Sequence, residues 1–504
     1  VVVNAMFGSP WATSTIAATI PIAMAMGLYM TRLRPGRVLE ATVGGIALVL
    51  LSVWGGGVVQ QTAWLRPFFD LDRESLAFAI MAYGFAAAVL PVWILMAPRD
   101  YLSAFIKIGT VILLALGILW AQPDVKLPAL TRFIDGSGPI FAGSLFPFAF
   151  ITIACGAVSG FHALIASGTT PKLLDRESDA RIVGYGAMLM ESFVAIMALL
   201  SAAVMDPGFY FAINAPTAAL GGSIETAAAA IQGWGFAFDP AAFEALTAQV
   251  GESTLLSRTG GAPSFAVGMA EIFASVLGGP TMKALWYHFA IMFEAFFILT
   301  TLDTGTRVGR FMLQDLLGNV WKPLGRTESL AATVLSSGAI VAAWGYFLYQ
   351  GVVDPLGGIN SLWPLFGIGN QLLAATALAA TTTILVKAGR ARFAFVTGLP
   401  LLWLLCVTMT AGWQKLFHPD RRIGFLAQAD ALSAELAAGH VAAEQIAATQ
   451  SVIFNNRLDA AATALFMVLV AVVVIDAARV WWRERHAIET VHGLAPTPAE
   501  EAGG

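Results

Sequence analysis

Of 504 residues, 58% are hydrophobic and only 12% are charged, against about 25% charged in ordinary soluble domains, which excludes a water-soluble globular fold for most of the chain. The net charge of -4 offers no basic surface for a polyanion, so no nucleic acid is expected as a partner. Cys155 and Cys406 both fall in apolar runs and read as small apolar residues rather than as a disulfide or a metal site.

Apolar runs long enough to span a bilayer recur from end to end. In chain order they predict eleven helices: 11–31, 39–59, 77–97, 101–121, 140–167, 181–205, 284–303, 329–350, 362–387, 393–413 and 458–478. The expected fold is therefore all-α, a polytopic helical membrane protein. Four parts follow: 1–205 and 284–480 as transmembrane regions, 206–283 as an extracytoplasmic loop region, and 481–504 as a cytoplasmic tail, disordered from about 488. The segment ADALSAELAAGHVAAEQIAATQSVIF, ahead of the last span, reads as a helical surface cap.

Lysine and arginine in alternate short connections set the orientation, because cytoplasmic loops collect them. One set holds Arg32, Arg34, Arg37, Arg99, Lys107, Lys172, Arg176, Arg181, Arg307, Arg310, Lys322, Arg326, Lys387, Arg390, Arg392, Arg479, Arg483 and Arg485; the intervening set is poorer. This puts the C-terminus in the cytoplasm and residue 1 outside. No charged leader precedes Trp11, and an odd span count with an outside start predicts further helices upstream.

Ionisable groups at membrane depth are costly and mark candidate sites. Glu191 shares a helical face with Gly184, Ala187, Ala195, Ala198 and Ala202. Such small residues admit a neighbouring backbone, so this face is expected to point into the bundle. There Glu191 either carries a proton or locks helix packing. Glu294 and Asp303 are the other proton-coupling candidates, Asp303 lying within LTTLDTGTR, whose hydroxyls suit a proton relay or a capped helix end. His288 and Glu294 are six residues apart, nearly on opposite faces, and do not form a metal pair. Nothing has zinc-ligand spacing or a phosphate-cradling loop, and no cofactor is implied.

The most irregular span contains IACGAVSGFHALIASGTTPK, Ile153 to Lys172. Cys155, Ser159, His162 and Ala166 form one helical stripe, and Gly156, Gly160, Ala163 and Ser167 the next, opposite Val158, Phe161 and Ile165. Either a helix packs on this face or a substrate does. Glycines at 156, 160 and 168 weaken the helix, and interrupted helices at membrane depth expose backbone to substrate in secondary transporters. The expected substrate-binding set is Gly156, Ser159, Gly160, His162, Ser167 and Thr169. In DPLGGINSLWPLFGIGNQLLA, the amides of Asn370 and Gln371 are expected to bridge helices.

Long strings along residues 7–480, among them SPWATSTIAATIPIAMAMGLYMTRLRPGR, LFPFAFITIACGAVSGFHALIASGTTPK, GAMLMESFVAIMALLSA and WYHFAIMFEAFFILTTLDTGTRVGRFMLQDLLG, resemble the carbon starvation protein A family of bacterial inner-membrane proteins. The resemblance implies a secondary transporter of the amino acid, polyamine and organocation superfamily, with a LeuT-like inverted repeat. It implies uptake of short peptides or pyruvate during carbon starvation, driven by protons, with the stretch near Gly156–Thr170 as a broken helix opening the second repeat. Family members begin with additional helices absent here, so the chain is expected to be incomplete at its N-terminus. A non-transporting nutrient receptor and a membrane enzyme are the alternatives.

Overall fold

The computed structural model describes residues 2–168, 170–172, 174–353 and 358–493. In chain order the helices are α1 (Val2–Met6), α2 (Pro10–Leu28), α3 (Val38–Gln61), α4 (Arg73–Val89), α5 (Met96–Ala121), α6 (Leu145–Ile153), α7 (Gly160–Gly168) and α8 (Asp179–Ala203). They continue as α9 (Pro207–Asn214), α10 (Thr217–Leu220), α11 (Ile224–Gly233), α12 (Pro240–Gln249), α13 (Ala262–Val276) and α14 (Lys283–Val320). The last five are α15 (Leu330–Val353), α16 (Gly358–Lys387), α17 (Phe395–Phe417), α18 (Phe425–Ala437) and α19 (Ile446–Gly493). No strand occurs among the described residues.

Ten helical segments among the described residues are long and apolar enough to cross a membrane, one fewer than the sequence predicts. The difference is the span expected at 77–97. Here α4 is 17 residues long and stops at Val89, with Leu90 extended at φ -63°, ψ 147°. Leu90 precedes Pro91, whose ring disfavours helical geometry in the preceding residue. The tail expected to be disordered from about 488 is helical as far as Gly493, where α19 ends, and 494–504 lie outside the described residues.

Contacts divide the chain into two units. The first comprises 1–134, 138–141 and 168–360. Its centre is α14, against which α2, α3, α4, α5, α13 and α15 all pack. At 38 residues this helix is about 57 Å long, well beyond the ~30 Å of a bilayer core. Its buried side carries Tyr287, His288, Ile291, Met292, Ala295, Phe296 and Leu299, then turns polar at Asp303, Arg307, Arg310 and Gln314. Residues 206–276 add the compact helices α9 to α13, of which α9, α11 and α12 are capped by the Asp206, Ser223 and Asp239 side chains on the following backbone N–H groups. Such caps satisfy donors that a helix start leaves unpaired.

Arg307 and Arg310 do not lie in a loop, as their use as orientation markers supposed. Arg307 Nη2 donates to Ala87 O at 2.6 Å and Leu90 O at 2.7 Å, and Arg310 Nη1 to Ala88 O at 2.9 Å. They terminate α4, where helix carbonyls lack intrahelical donors and the macrodipole favours cations. Arg307→Ala is expected to lower the thermal midpoint in detergent, at a cost of about 1–3 kcal/mol for the abandoned carbonyls. Arg307→Lys should recover only part of this, because a compact ammonium does not reproduce the guanidinium fork.

Helix α8 corrects a second expectation. Gly184, Ala187 and Ala195 are exposed, and Glu191, Ala198 and Ala202 half-buried; the buried positions are Met197, Ser201 and Ala203, with α8 packing on α13 and α5. Small side chains permit close approach without demanding it. The bulky residues Ile182, Tyr185, Leu189, Ile196 and Leu199 are exposed, as expected of a helix that meets lipid.

The second unit comprises 135–137, 142–167 and 361–504. In it α17 packs on α6, α18 and α19. Lys415 of α17 is buried, its ammonium 5.5 Å from the Phe148 ring and 5.3 Å from the Phe425 ring.

Candidate functional site

The span predicted at 140–167 is broken. Helix α6 ends at Ile153, a single 3-10 turn covers Ala154–Gly156, and α7 starts at Gly160. Ala154 closes α6 at φ +48°, ψ -102°, a conformation that costs a non-glycine residue about 1–3 kcal/mol and persists only where surroundings impose it. Because of this break, the two stripes expected from one continuous helix do not run through 155–159.

Irregular backbone at membrane depth survives only where its polar groups find partners. Here α16 supplies them. Gln371 Nε2 donates to Phe150 O at 2.9 Å and Ala154 O at 3.4 Å, and Trp363 Nε1 to Thr152 O at 3.0 Å, satisfying the end of α6. Asn370 Oδ1 accepts from the Phe161 N–H at 2.9 Å and from Ser159 Oγ at 3.4 Å, capping the start of α7. The two amides are thus bridges between helices.

Two glycines let these backbones meet. A Cβ on Gly160 would lie 2.4 Å from Asn370 O and 2.6 Å from Ala374 N, and one on Gly367 would lie 2.4 Å from Ile151 O. All three obstructing atoms are backbone, which cannot swing aside as a side chain would.

Of the six substrate candidates, the structure brings Ser159, Gly160 and His162 together. Ser159 Oγ accepts from the His162 N–H at 3.3 Å and from Cys155 Sγ at 3.2 Å, and the exposed His162 ring lies 3.7 Å from Cys155 Sγ. Gly156 is exposed in the break. Ser167 is exposed at the far end of α7 and bonds back to Leu164 O at 3.2 Å, so it stands apart from that group. Thr169 lies outside the described residues. Among the described residues neither Cys155 nor Cys406 forms a disulfide, and Cys406 is exposed.

In the first unit, the proton-coupling candidates separate. Glu191 and Glu294 are half-buried on α8 and α14. Asp303 is fully buried and sits in an ion network: Tyr83 of α4 donates to its Oδ2, as does Arg99 Nη1 of α5 at 3.2 Å. Asp303 Oδ1 has no hydrogen-bond partner. The Arg99 guanidinium lies 4.7 Å from the Tyr83 ring and 5.9 Å from that of Phe296, and Lys107 Nζ donates to Thr300 Oγ1 at 3.2 Å.

Arg99 and Lys107 were missed by sequence reasoning, which placed them in a loop between two spans. The connection lies earlier, at 90–95: α5 begins at Met96, and Arg99 is 1% exposed. The signal was present in the spacing. Met96, Arg99, Ser103, Ile106, Thr110 and Gly117 all fall on the buried face of α5, so Arg99 occupies a position that helical periodicity assigns to the interior.

A model of the carbon starvation protein CstA family matches residues 1–411. The chain belongs to this family. It is 53% identical over 481 residues to the peptide transporter CstA of Escherichia coli K12, covering 94% of this chain and 69% of that protein. It is 47% identical over 528 residues to the pyruvate/proton symporter BtsT of the same organism, covering 100% and 74%. The peptide transporter CstA of Helicobacter pylori J99 is 47% identical over 503 residues, covering 99% and 73%. No solved structure matches the chain significantly. As a member of the CstA family with ten membrane-crossing segments among its described residues, the chain is a multi-pass membrane protein.

Proposed function

We propose that this protein is a proton-coupled transporter of short peptides or pyruvate in the bacterial inner membrane, with its C-terminus in the cytoplasm. The names of its relatives support the substrate class and the proton. The observation that carries the mechanism is the buried Asp303–Arg99–Tyr83 network, an ionisable group held at the centre of an apolar bundle where only function or exact pairing keeps it. Asp303 takes the proton; in its neutral form it releases Arg99, whose charge then has Asp100 as its alternative partner. Glu294 is the alternative carrier, and Glu191 a weaker one.

Substrate engages the break between α6 and α7. Peptides and pyruvate share a carboxylate, and the positive end of α7 attracts one. Ser159, Gly160 and His162 line that end, with Gly156 in the break beside it; Ser167 and Thr169 are the more distant members of the set. The inverted repeat implied by the family resemblance would make α6 and α7 the two halves of one discontinuous helix.

Purified protein in liposomes is expected to accumulate labelled pyruvate or a dipeptide when a pH gradient, acidic outside, is imposed. A protonophore should abolish accumulation. Uptake that ignores both gradient and protonophore would overturn the proton-coupled reading.

A further inference from the structure

The transport reading leaves a second buried acid–base cluster unused. It lies near the start of α14, fifteen residues before Asp303, or about 22 Å along the helix axis. His288 is fully buried, and neither ring nitrogen has a partner within ordinary hydrogen-bond distance, the Val250 backbone being the polar group beside the ring. Its Nδ1 is 3.9 Å from Glu252 Oε1, which also lacks a partner. The other Glu252 oxygen pairs with Arg258 Nη1 at 3.1 Å, both side chains being buried. Arg258 in turn donates to Phe7 O and, at 3.5 Å, to Tyr287 Oη.

We propose that Glu252 and His288 form a proton-binding site, taking a proton from the aqueous side opposite Asp303 and sharing it across their facing unpartnered atoms. This rests on the proton-coupled reading above. Unpartnered buried polar atoms are rare in native proteins, and two that face each other across 3.9 Å are one proton and a small displacement from a charge-assisted hydrogen bond. The surroundings suit reversible occupancy. The Trp11 ring stacks on the imidazole at 4.1 Å and 17°, and an aromatic face attracts a cation. Burial raises the Glu252 carboxyl above its ordinary range, against the pull of Arg258 and Ser9.

Other charged groups do not usurp this role. Arg73, at the start of α4, lies within electrostatic reach of Arg258 and covers the Phe7 ring at 4.6 Å. Lys283, on α14 itself, is paired with Glu271 of α13 at 2.5 Å and Gln249 at 3.1 Å. Tyr287 contacts Arg258, and α3 contributes only the neutral Gln60, whose Nε2 donates to Gly251 O at 2.8 Å.

The test titrates the full chain in nanodiscs with isotope-labelled histidine. There are six histidines, and His288→Gln assigns the resonance. In a titration run from about pH 4 to 8, the His288 resonance is expected to respond while Glu252 is present, and Glu252→Gln, nearly isosteric, to move that response to lower pH. A His288 resonance that does not titrate in this range, or one unmoved by Glu252→Gln, overturns the proposal whether or not the protein transports anything. In liposomes, Glu252→Gln is expected to flatten the dependence of uptake on external pH while leaving substrate exchange at equal pH intact. An unchanged pH profile would overturn the link to transport even if both groups titrate.

Discussion

Removing the guanidinium of Arg99 is expected to destabilise the protein by about 3–5 kcal/mol, because Asp303 would be left as a buried charge without its cation. Arg99→Ala should therefore unfold at a markedly lower temperature in detergent and show no gradient-driven uptake. Asp303→Asn separates the two effects. The amide keeps an acceptor for Tyr83, and Arg99, deprived of its counter-charge, still has Asp100 within electrostatic reach, so the loss of stability should be smaller than in Arg99→Ala, yet no proton can be bound. Accumulation against a gradient should fall to background while exchange persists. The double variant Arg99→Met with Asp303→Leu removes both charges, and replacing a buried pair by apolar side chains of similar volume is often neutral or stabilising. It should regain most of the stability lost in Arg99→Ala and remain inactive. If the double variant transported normally, the network would be a fastening, and the proton would have to be carried elsewhere, with Glu294 the next candidate.

Much of this architecture was legible in the sequence, but the meaning of the charges was not. Apolar length marked the spans because a bilayer admits little else. The break at 154–159 was foreshadowed by its glycines, although Ala154, the residue with the left-handed backbone, carries no such mark. By contrast, Arg99, Lys107, Arg307 and Arg310 were read as loop residues because basic side chains usually lie outside the membrane. What moved them inside was a partner far away in sequence: Asp303 for Arg99, Thr300 for Lys107, and the carbonyls at the end of α4 for the other two. A one-dimensional reading sees each charge alone and so cannot count the pairing that makes its burial tolerable. The small-residue face of Glu191 is less buried than its pattern suggests, and within α8 the buried positions are Met197, Ser201 and Ala203. The arginines that remain at exposed positions, such as Arg34, Arg37, Arg390 and Arg392, still support the orientation proposed above.

Asn370→Asp is expected to abolish uptake without unfolding the protein. The substituted carboxylate keeps an acceptor for the Phe161 N–H and sits at the positive end of α7, where negative charge is favoured by about 0.3–1 kcal/mol. Desolvation of the buried carboxylate offsets that gain, so the fold should hold with little net change. A substrate carboxylate approaching the same end would meet a like charge, and its binding should weaken severely. Asn370→Ala gives the opposite pattern. It leaves the Phe161 N–H without its acceptor, at a cost of about 1–3 kcal/mol, but adds no repulsion, so a lower thermal midpoint should accompany measurable uptake. Gly160→Ala tests the scaffold beneath both: with backbone atoms 2.4 and 2.6 Å from the added methyl, α7 must part from α16, at about 1–3 kcal/mol of overpacking. The Asn370 bond would stretch with it. Normal pyruvate and dipeptide uptake by Asn370→Asp would show that neither carboxylate binds at the start of α7, and the substrate site would have to be sought away from the break.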